Sequence, residues 1–177
     1  MKTMQFNDKT GMLIAINTFK QVSIDTYENY YKKGKYGYID AMLVNAAFSI
    51  EVGLKFLVGY DNKEYDKGHE WIDYWNKLNI RYKNCIIFFL VDRCGNKNYT
   101  TDFIEKSIER LSNTFIYLRY AFEESSTQSE PKIIMELMYA ISFVAKCRDD
   151  SNETDDELFE AYTLLQMQKE DYVEIQF

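Results

Sequence analysis

The stretch Ile39-Asp-Ala-Met-Leu-Val-Asn-Ala-Ala-Phe-Ser-Ile-Glu-Val-Gly-Leu-Lys-Phe-Leu-Val-Gly-Tyr60 decides the fold class of this 177-residue protein. Its apolar residues recur at intervals of three and four, which predicts a single amphipathic helix. The stripe consists of Leu43, Ala47, Ile50, Leu54 and Leu57. Several small residues beside the stripe allow a second helix to approach closely. We therefore expect this helix to lie at the centre of an all-α bundle.

The same periodicity continues outward from this stretch and predicts a bundle of six or seven helices. The run 85–91 is apolar enough for a buried strand, but no other convincing strand is available to pair with it, so a helix is favoured. Thr101-Asp102 is the predicted N-cap of its helix, with Glu105 as the capping-box partner of Asp102. We expect the helix over 102–123 to share the centre of the bundle with 39–60. The predicted helices cover residues 10–33, 39–60, 69–78, 81–94, 102–123, 131–148 and about 155–168.

The two ends of the chain alternate between apolar and polar residues, at Met4 and Phe6 and again over residues 172–177. This alternation is typical of short strands, so the termini either pair as two strands or remain unpaired tails. A length of 177 residues suits one domain. We divide it into a helical bundle over 1–148 and an acidic C-terminal segment over 149–177, which belongs to the same domain.

The charge of the protein is concentrated at its C-terminal end. Residues 149–177 contain ten acidic side chains and one lysine, for a net charge of −9, whereas the preceding 148 residues sum to +2. Apolar residues between Glu157 and Gln168 give this segment a side that should dock on the bundle. We expect the docked segment to cover part of a lysine–tyrosine patch near residue 32 and to compete there with polyanions.

Composition excludes several classes of site. One histidine and three cysteines without CxxC spacing leave no zinc motif, so we expect neither a metal nor a cofactor. The phosphate-loop and dinucleotide fingerprints are absent as well. Three unpaired cysteines fit a reducing cytoplasm. The longest wholly apolar run, residues 85–91, is far shorter than a membrane span, so we expect no membrane association.

Two segments carry a family resemblance. Ala46-Ala-Phe-Ser-Ile-Glu-Val-Gly-Leu-Lys-Phe-Leu57 is followed by Gly68-His-Glu-Trp-Ile-Asp-Tyr-Trp-Asn-Lys-Leu78, and later by Phe115-Ile-Tyr-Leu-Arg-Tyr-Ala-Phe-Glu123. Together they cover about half of the chain. The Glu-x-x-x-Lys helix, the Gly-His segment and the Phe-x-x-x-Arg-Tyr-x-x-Glu pattern resemble those of HEPN-domain proteins (higher eukaryotes and prokaryotes nucleotide-binding).

The resemblance implies an all-α, often dimeric module of toxin–antitoxin or phage-defence systems. Many members are metal-independent ribonucleases, and others bind RNA or nucleotides or accompany nucleotidyltransferases. The family's nuclease motif, Arg-x(4–6)-His, is absent here, because the only histidine precedes every arginine in the chain. We therefore do not carry the nuclease activity over, and whether the protein is an enzyme stays open, with a non-enzymatic role favoured.

The residues that match the family's pattern form a predicted polar cluster. It has three interpretations: structural pairing of Glu51 with Arg119 or His69, a ligand site, or catalysis. Glu51 and Lys55 alone also suit an ion pair at a helix edge. The cluster comprises Glu51, Lys55, His69, Arg119, Tyr120 and Glu123.

A second candidate surface lies between Tyr27 and Tyr38, where lysines alternate with tyrosines. Cations interleaved with aromatic rings suit single-stranded nucleic acid. The alternative is a helix C-terminus at which lysines complement the helix dipole. The candidate contact residues are Lys32, Lys33, Lys35, Tyr31 and Tyr36.

Three functions remain open from the sequence. The first is a nuclease-inactive HEPN-like module that binds RNA, a nucleotide or a protein partner such as a nucleotidyltransferase or an antitoxin. The second is a helical scaffold or adaptor without a ligand. The third is a ribonuclease that uses Arg119, Tyr120 and Glu123. By family analogy we expect a homodimer, whose candidate contacts are Trp71, Trp75 and the small residues of the 39–60 helix. The alternative is that both tryptophans lie in the core of each subunit.

Overall fold

A computed structural model describes residues 3–34, 38–95, 98–112, 130–151 and 156–168. Seven α-helices and two short strands occur in these ranges, so the expectation of an all-α bundle is confirmed. The elements are β1 (Thr3–Gln5), α1 (Lys9–Thr26), α2 (Ile39–Asn62), β2 (Glu64–Asp66), α3 (Trp71–Lys77), α4 (Ile80–Asp92), α5 (Thr101–Leu111), α6 (Pro131–Asp150) and α7 (Asp156–Met167).

Helices α1, α2 and α6 form the central layer. The hydroxyl of Ser23 donates to the carbonyl of Met42 (2.8 Å) and that of Ser49 to the carbonyl of Ile16 (3.0 Å), which fixes α1 antiparallel to α2. The Ser49 and Ser142 hydroxyls lie 3.1 Å apart between α2 and α6. These paired hydroxyls allow polar atoms to be buried in a layer that is otherwise apolar.

Helix α6 shares the centre with α2, because almost every side chain from Ile133 to Ala145 is buried. We expected residues 102–123 in that position. The described part of that stretch, α5, buries only one face, at Ile104, Ser107, Ile108 and Leu111. Residues 113–123 lie outside the described ranges. The correction follows from α6 being buried on all sides over these residues, as a central helix is, whereas the described part of the 102–123 helix buries one face only.

Helices α4 and α7 cover one side of α6. Phe89 of α4 packs on Phe143 of α6, with ring centroids 5.2 Å apart, and Tyr82 of α4 meets Phe159 of α7 edge to face at 5.4 Å. Arg148 of α6 lies over the Phe159 ring at 5.1 Å. The helical alternative for residues 81–94 is thus confirmed over 80–92.

Both tryptophans of α3 are fully buried within the chain. Helix α3 packs against α2 and α5, where the Ser112 hydroxyl accepts from the backbone N–H of Ile72 (2.9 Å). The interpretation of Trp71 and Trp75 as intramolecular core is therefore correct, and neither ring is available for a subunit interface. The small residues of α2, including Ala46 and Gly53, are buried in the same way.

Strand β1 pairs antiparallel with β2, with Met4 opposite Tyr65. The N-terminal alternation therefore does form a strand, and its partner among the described residues is the segment after α2. Residues 172–177, the predicted partner, lie outside the described ranges. Three residues, Glu64-Tyr65-Asp66, are too few to indicate a strand from the sequence. The Phe6 ring anchors β1 on α2, 5.5 Å from Phe56 and 6.3 Å from Tyr60, because Gly59 has no side chain to block it.

Several helix ends differ from their predicted positions. The first helix changes after Thr26 into a π-helical turn over Tyr27–Tyr31. The N-cap of α5 is Thr100, whose hydroxyl accepts from the N–H of Phe103 (3.2 Å). The predicted capping box between Asp102 and Glu105 does not form, since the Glu105 carboxylate accepts from the Trp75 indole N–H at 3.4 Å. Pro131 begins α6 as predicted.

Of the helices in the described ranges, α2 has the length and mean hydropathy (1.6) to cross a membrane, and 67% of its most apolar window is buried inside the bundle. The core helix of a folded bundle meets the same criteria, so this finding is weak evidence of a span.

Candidate functional site

A buried carboxylate on α2 organises the candidate site. The Glu51 side chain is only 5% exposed, and its Oε1 lies 2.6 Å from Nζ of Lys55, one helical turn further along. The same Oε1 lies 2.9 Å from Nδ1 of His69, in the loop between β2 and α3. Of the six residues in the predicted polar cluster, the structure therefore brings these three together.

The other three members of the cluster, Arg119, Tyr120 and Glu123, lie outside the described residues. The alternative pairing of Glu51 with Arg119 therefore stays a prediction, while the pairing of Glu51 with His69 is present. The second carboxylate oxygen of Glu51, Oε2, is buried without a hydrogen-bond partner. Such an oxygen is energetically unfavourable, and Lys55 and His69 offset that penalty at Oε1 only.

Tyr74 of α3 stabilises the loop that carries His69. The Tyr74 hydroxyl lies within hydrogen-bond distance of two carbonyl oxygens, those of Asp66 (2.8 Å) and Gly68 (2.6 Å). Burial, together with the nearby charges of Glu51 and Asp66, raises the pKa of Tyr74, so this phenol stays protonated and remains a donor. Asp66 also forms an ion pair with Lys77. Together with the contact between His69 and Glu51, these bonds hold the loop at Asp66, Gly68 and His69.

A pocket of about 400 Å³ lies beside this cluster. Its described lining combines Lys55, Lys67 and His69 with side chains that are apolar or aromatic: Met4, Met12, Val52 and Tyr65. Lys67 is exposed and forms no ion pair within the described part of the chain. The volume falls in the usual range for small-molecule sites.

The positive charge of the pocket comes from Lys67. Glu51 lies 2.6 Å from the Lys55 ammonium and 2.9 Å from His69 Nδ1, so its carboxylate neutralises Lys55. Within the described lining, Lys67 is the lysine without such a counter-charge, and an anion would bind there. The sequence indicated Lys55 and His69 but not Lys67, Tyr65 or Met4, whose proximity depends on the pairing of β1 with β2. It did not indicate Met12 either, which reaches the pocket from α1.

The lysine–tyrosine patch is less suited to a ligand than its sequence indicates. Lys32 lies 3.8 Å from the Glu28 carboxylate, and the ammonium of Lys33 donates to Asn29 (3.0 Å). The Tyr27 ring is buried. The side chain of Tyr31 and residues Lys35 and Tyr36 lie outside the described ranges.

The two candidate surfaces are also far apart. Met12, at the start of α1, lines the pocket, whereas Lys32 follows the far end of the same helix. Twenty residues of helix rise about 30 Å. One compact ligand cannot touch both surfaces.

Helix α7 docks on the bundle, but not where we expected. It packs on α4 and α6, and Glu160 accepts from Arg81 of α4 at 2.6 Å. The expectation that this acidic segment covers the lysine–tyrosine patch is therefore wrong for the described residues 156–168. The physical reason is that Phe159 and Met167, both fully buried, direct the helix onto the apolar α4 surface.

A second buried carboxylate lies on α6, away from the pocket. Glu136 is fully buried, accepts from the Tyr99 hydroxyl, and has Lys132 3.9 Å from its Oε1. Burial raises the pKa of Glu136, while the Tyr99 hydrogen bond and the Lys132 charge act in the opposite direction. Sequence analysis missed this residue, although a single acid within Ile133–Ala140 is a visible signal.

No group of three or more histidine, cysteine, aspartate or glutamate side chains in the described ranges is arranged to hold a metal ion. Comparison of the chain with family models, curated proteins and solved structures gives no match. The resemblance to HEPN domains therefore rests on the residues quoted above.

Proposed function

We propose that this protein is a nuclease-inactive, HEPN-like binding module whose pocket at Lys55, Lys67 and His69 holds the phosphate of a nucleotide or of RNA. The observation that carries the proposal is the exposed Lys67 beside the aromatic ring of Tyr65 in the lining of a pocket of about 400 Å³. Lysine and histidine donors neutralise phosphate, while an aromatic face such as Tyr65 supports a stacked base.

The setting of this function follows from the resemblance. We propose a cytoplasmic protein of a defence or toxin–antitoxin system that acts as a homodimer or beside a nucleotidyltransferase or antitoxin partner. With both tryptophans buried, a dimer has to use other surfaces. Sedimentation at micromolar concentration tests the dimer, and a monomer-sized species alone contradicts it.

The binding test is calorimetric titration of the full chain with nucleotides and short RNA oligomers, in wild type and in Lys67→Ala. Lys67 is exposed, so its removal should weaken binding about tenfold and leave the melting temperature unchanged. Lys33→Ala is the matched control, because it removes a lysine that is also exposed from the other candidate patch. Loss of binding in Lys33→Ala, with Lys67→Ala like wild type, would move the site to that patch.

The second candidate function is a scaffold without a ligand. It is favoured by the contacts of Glu51, whose ion pair with Lys55 and bond to His69 join α2 to the following loop as a structural support would. Under this alternative no nucleotide or RNA oligomer binds. RNA cleavage that is lost in Arg119→Ala would instead support the ribonuclease alternative.

A further inference from the structure

We infer that the groove between α4 and α7 is a docking site for an amphipathic helix of a protein partner, with basic residues beside the apolar face of that helix. The groove shares no described lining residue with the pocket of the proposed function, so the two proposals are independent. The groove combines an apolar lining with an acidic rim, and each of these selects one property of the partner.

The groove is apolar and open to solvent. It has a volume of about 260 Å³, and its apolar lining includes Ile87, Phe88 and Val91 of α4 and Leu164 of α7. The Phe88 ring is 48% exposed, although aromatic rings bury the largest apolar area when they are covered. Single exposed apolar side chains are common on protein surfaces. A half-exposed ring among further apolar side chains in one groove instead marks an interaction site.

The groove has the length of a short helix. Its lining on α4 extends from Asn84 to Val91, and the exposed Ile80 continues the same face of α4 by one turn. Helix α4 rises about 16 Å from Ile80 to Val91. An amphipathic helix of about three turns matches this length, because its apolar side chains at intervals of three and four lie along one groove.

The rim of the groove is acidic on the side of α7. Glu160 lines the groove, and Glu157, whose side chain is 84% exposed, lies one turn before it on the same helix. Arg81 of α4 contacts both carboxylates, 2.6 Å from Glu160 and 3.9 Å from Glu157. No lysine or arginine is among the described residues that line the groove. Residues 149–177, which include α7, have a net charge of −9.

The apolar lining and the acidic rim together define the partner. An acidic helix would bury the same apolar area but would place like charges beside α7, which lowers both the association rate and the specificity. Lysine or arginine beside the apolar face of the helix would instead meet charges of opposite sign. A second copy of this chain is a poor occupant, because a symmetric contact at this groove would bring two acidic α7 segments together.

The experiment measures the binding of model peptides to the full chain by fluorescence anisotropy at fixed low salt. The probe is a peptide of about 15 residues with leucine on one helical face and lysine on the other. In one control peptide glutamate replaces lysine, and a second has the leucine–lysine composition in an order without helical periodicity. We expect the leucine–lysine probe to bind more tightly than either control by about tenfold or more.

Variants of the chain test the two features of the groove separately. Phe88→Ser should weaken binding of the probe about tenfold, and Glu157→Lys should weaken it about threefold. Ile14→Ser is the matched control, because it removes an exposed apolar side chain from α1, which does not line the groove. We expect this control to bind like wild type. All three variants should melt close to the wild-type temperature, since the replaced side chains are exposed.

Several results would overturn the inference. Absence of binding does so, as does equal binding of the glutamate peptide. Equal binding of the probe to wild type, Phe88→Ser and Glu157→Lys would show attraction to the overall charge only. A large fall in the melting temperature of Phe88→Ser would show that this chain itself covers the groove. Self-association of the wild type that Phe88→Ser abolishes would make a second copy the occupant, which also contradicts the inference.

Discussion

His69 Nδ1 lies 2.9 Å from Oε1 of Glu51, and this one contact joins the loop after β2 to the central helix α2. The same oxygen accepts from Lys55, so one buried carboxylate contacts two of the residues that line the pocket. Glu51 therefore fixes the positions of Lys55 and His69 relative to each other.

We expect Glu51→Gln to lower the free energy of unfolding by about 1–3 kcal/mol, because Lys55 is only 12% exposed and loses its counter-charge. The double variant Glu51→Gln with Lys55→Met should recover part of this loss, since a buried pair replaced as a unit is often tolerated. Urea denaturation of the four proteins measures the coupling. Strictly additive effects would show that the pair does not act as a unit.

The sequence predicted the parts of the fold that depend on helical periodicity. It predicts helices α2, α4, α6 and α7 to within a few residues of their observed ends. The helical spacing and the Gly-His segment also indicate Glu51, Lys55 and His69. The remaining pocket residues could not be predicted, because Met4 and Tyr65 become neighbours only through a three-residue strand pairing. Pairing over such a short length leaves no periodic signal in the sequence.

The close contact between α2 and α6 depends on Gly53. A Cβ added at this position would lie 2.6 Å from Cγ2 of Ile141. Gly53→Ala should therefore reduce the free energy of unfolding by about 1–3 kcal/mol, although alanine is the better helix former.

Adding Ile141→Ala removes the clashing methyl group. The double variant should therefore lose less unfolding free energy than the sum of the losses in the two single variants. Thermal and urea denaturation of all four proteins measure this. Gly53→Ala more stable than wild type would contradict the close packing.

Helix α2 ends at a lysine in the left-handed conformation. Lys63 has φ 62°, and its N–H donates to the carbonyl of Gly59 at 2.8 Å. A residue with a Cβ destabilises the folded state by about 1 kcal/mol in this conformation, whereas glycine adopts the conformation without this cost. We therefore expect Lys63→Gly to raise the unfolding free energy by about 1 kcal/mol relative to Lys63→Ala, measured by urea denaturation. The alanine variant is the control, since both substitutions remove the Lys63 ammonium and its bond to the Tyr60 carbonyl. Equal stability of the two variants would show that the backbone strain is negligible.

Glu136 should make the stability of the protein decrease as pH rises from acid to neutral. Burial raises the pKa of this carboxyl, so the folded state holds its proton at pH values where the unfolded chain has released it. In that window the folded state binds more protons, and the free energy of unfolding falls with increasing pH until Glu136 is ionised in both states. The destabilisation by Glu136 is thus absent below the pKa of the unfolded state and complete above the pKa of the folded state.

Glu136→Gln, which still accepts from Tyr99, should be more stable than wild type at pH 7 by on the order of 1 kcal/mol. At pH 4 the variant and the wild type should be almost equally stable. Urea denaturation at both pH values measures the difference. A variant less stable than wild type at pH 7 would show that the charged carboxylate is stabilised by Lys132 more than it is destabilised by burial.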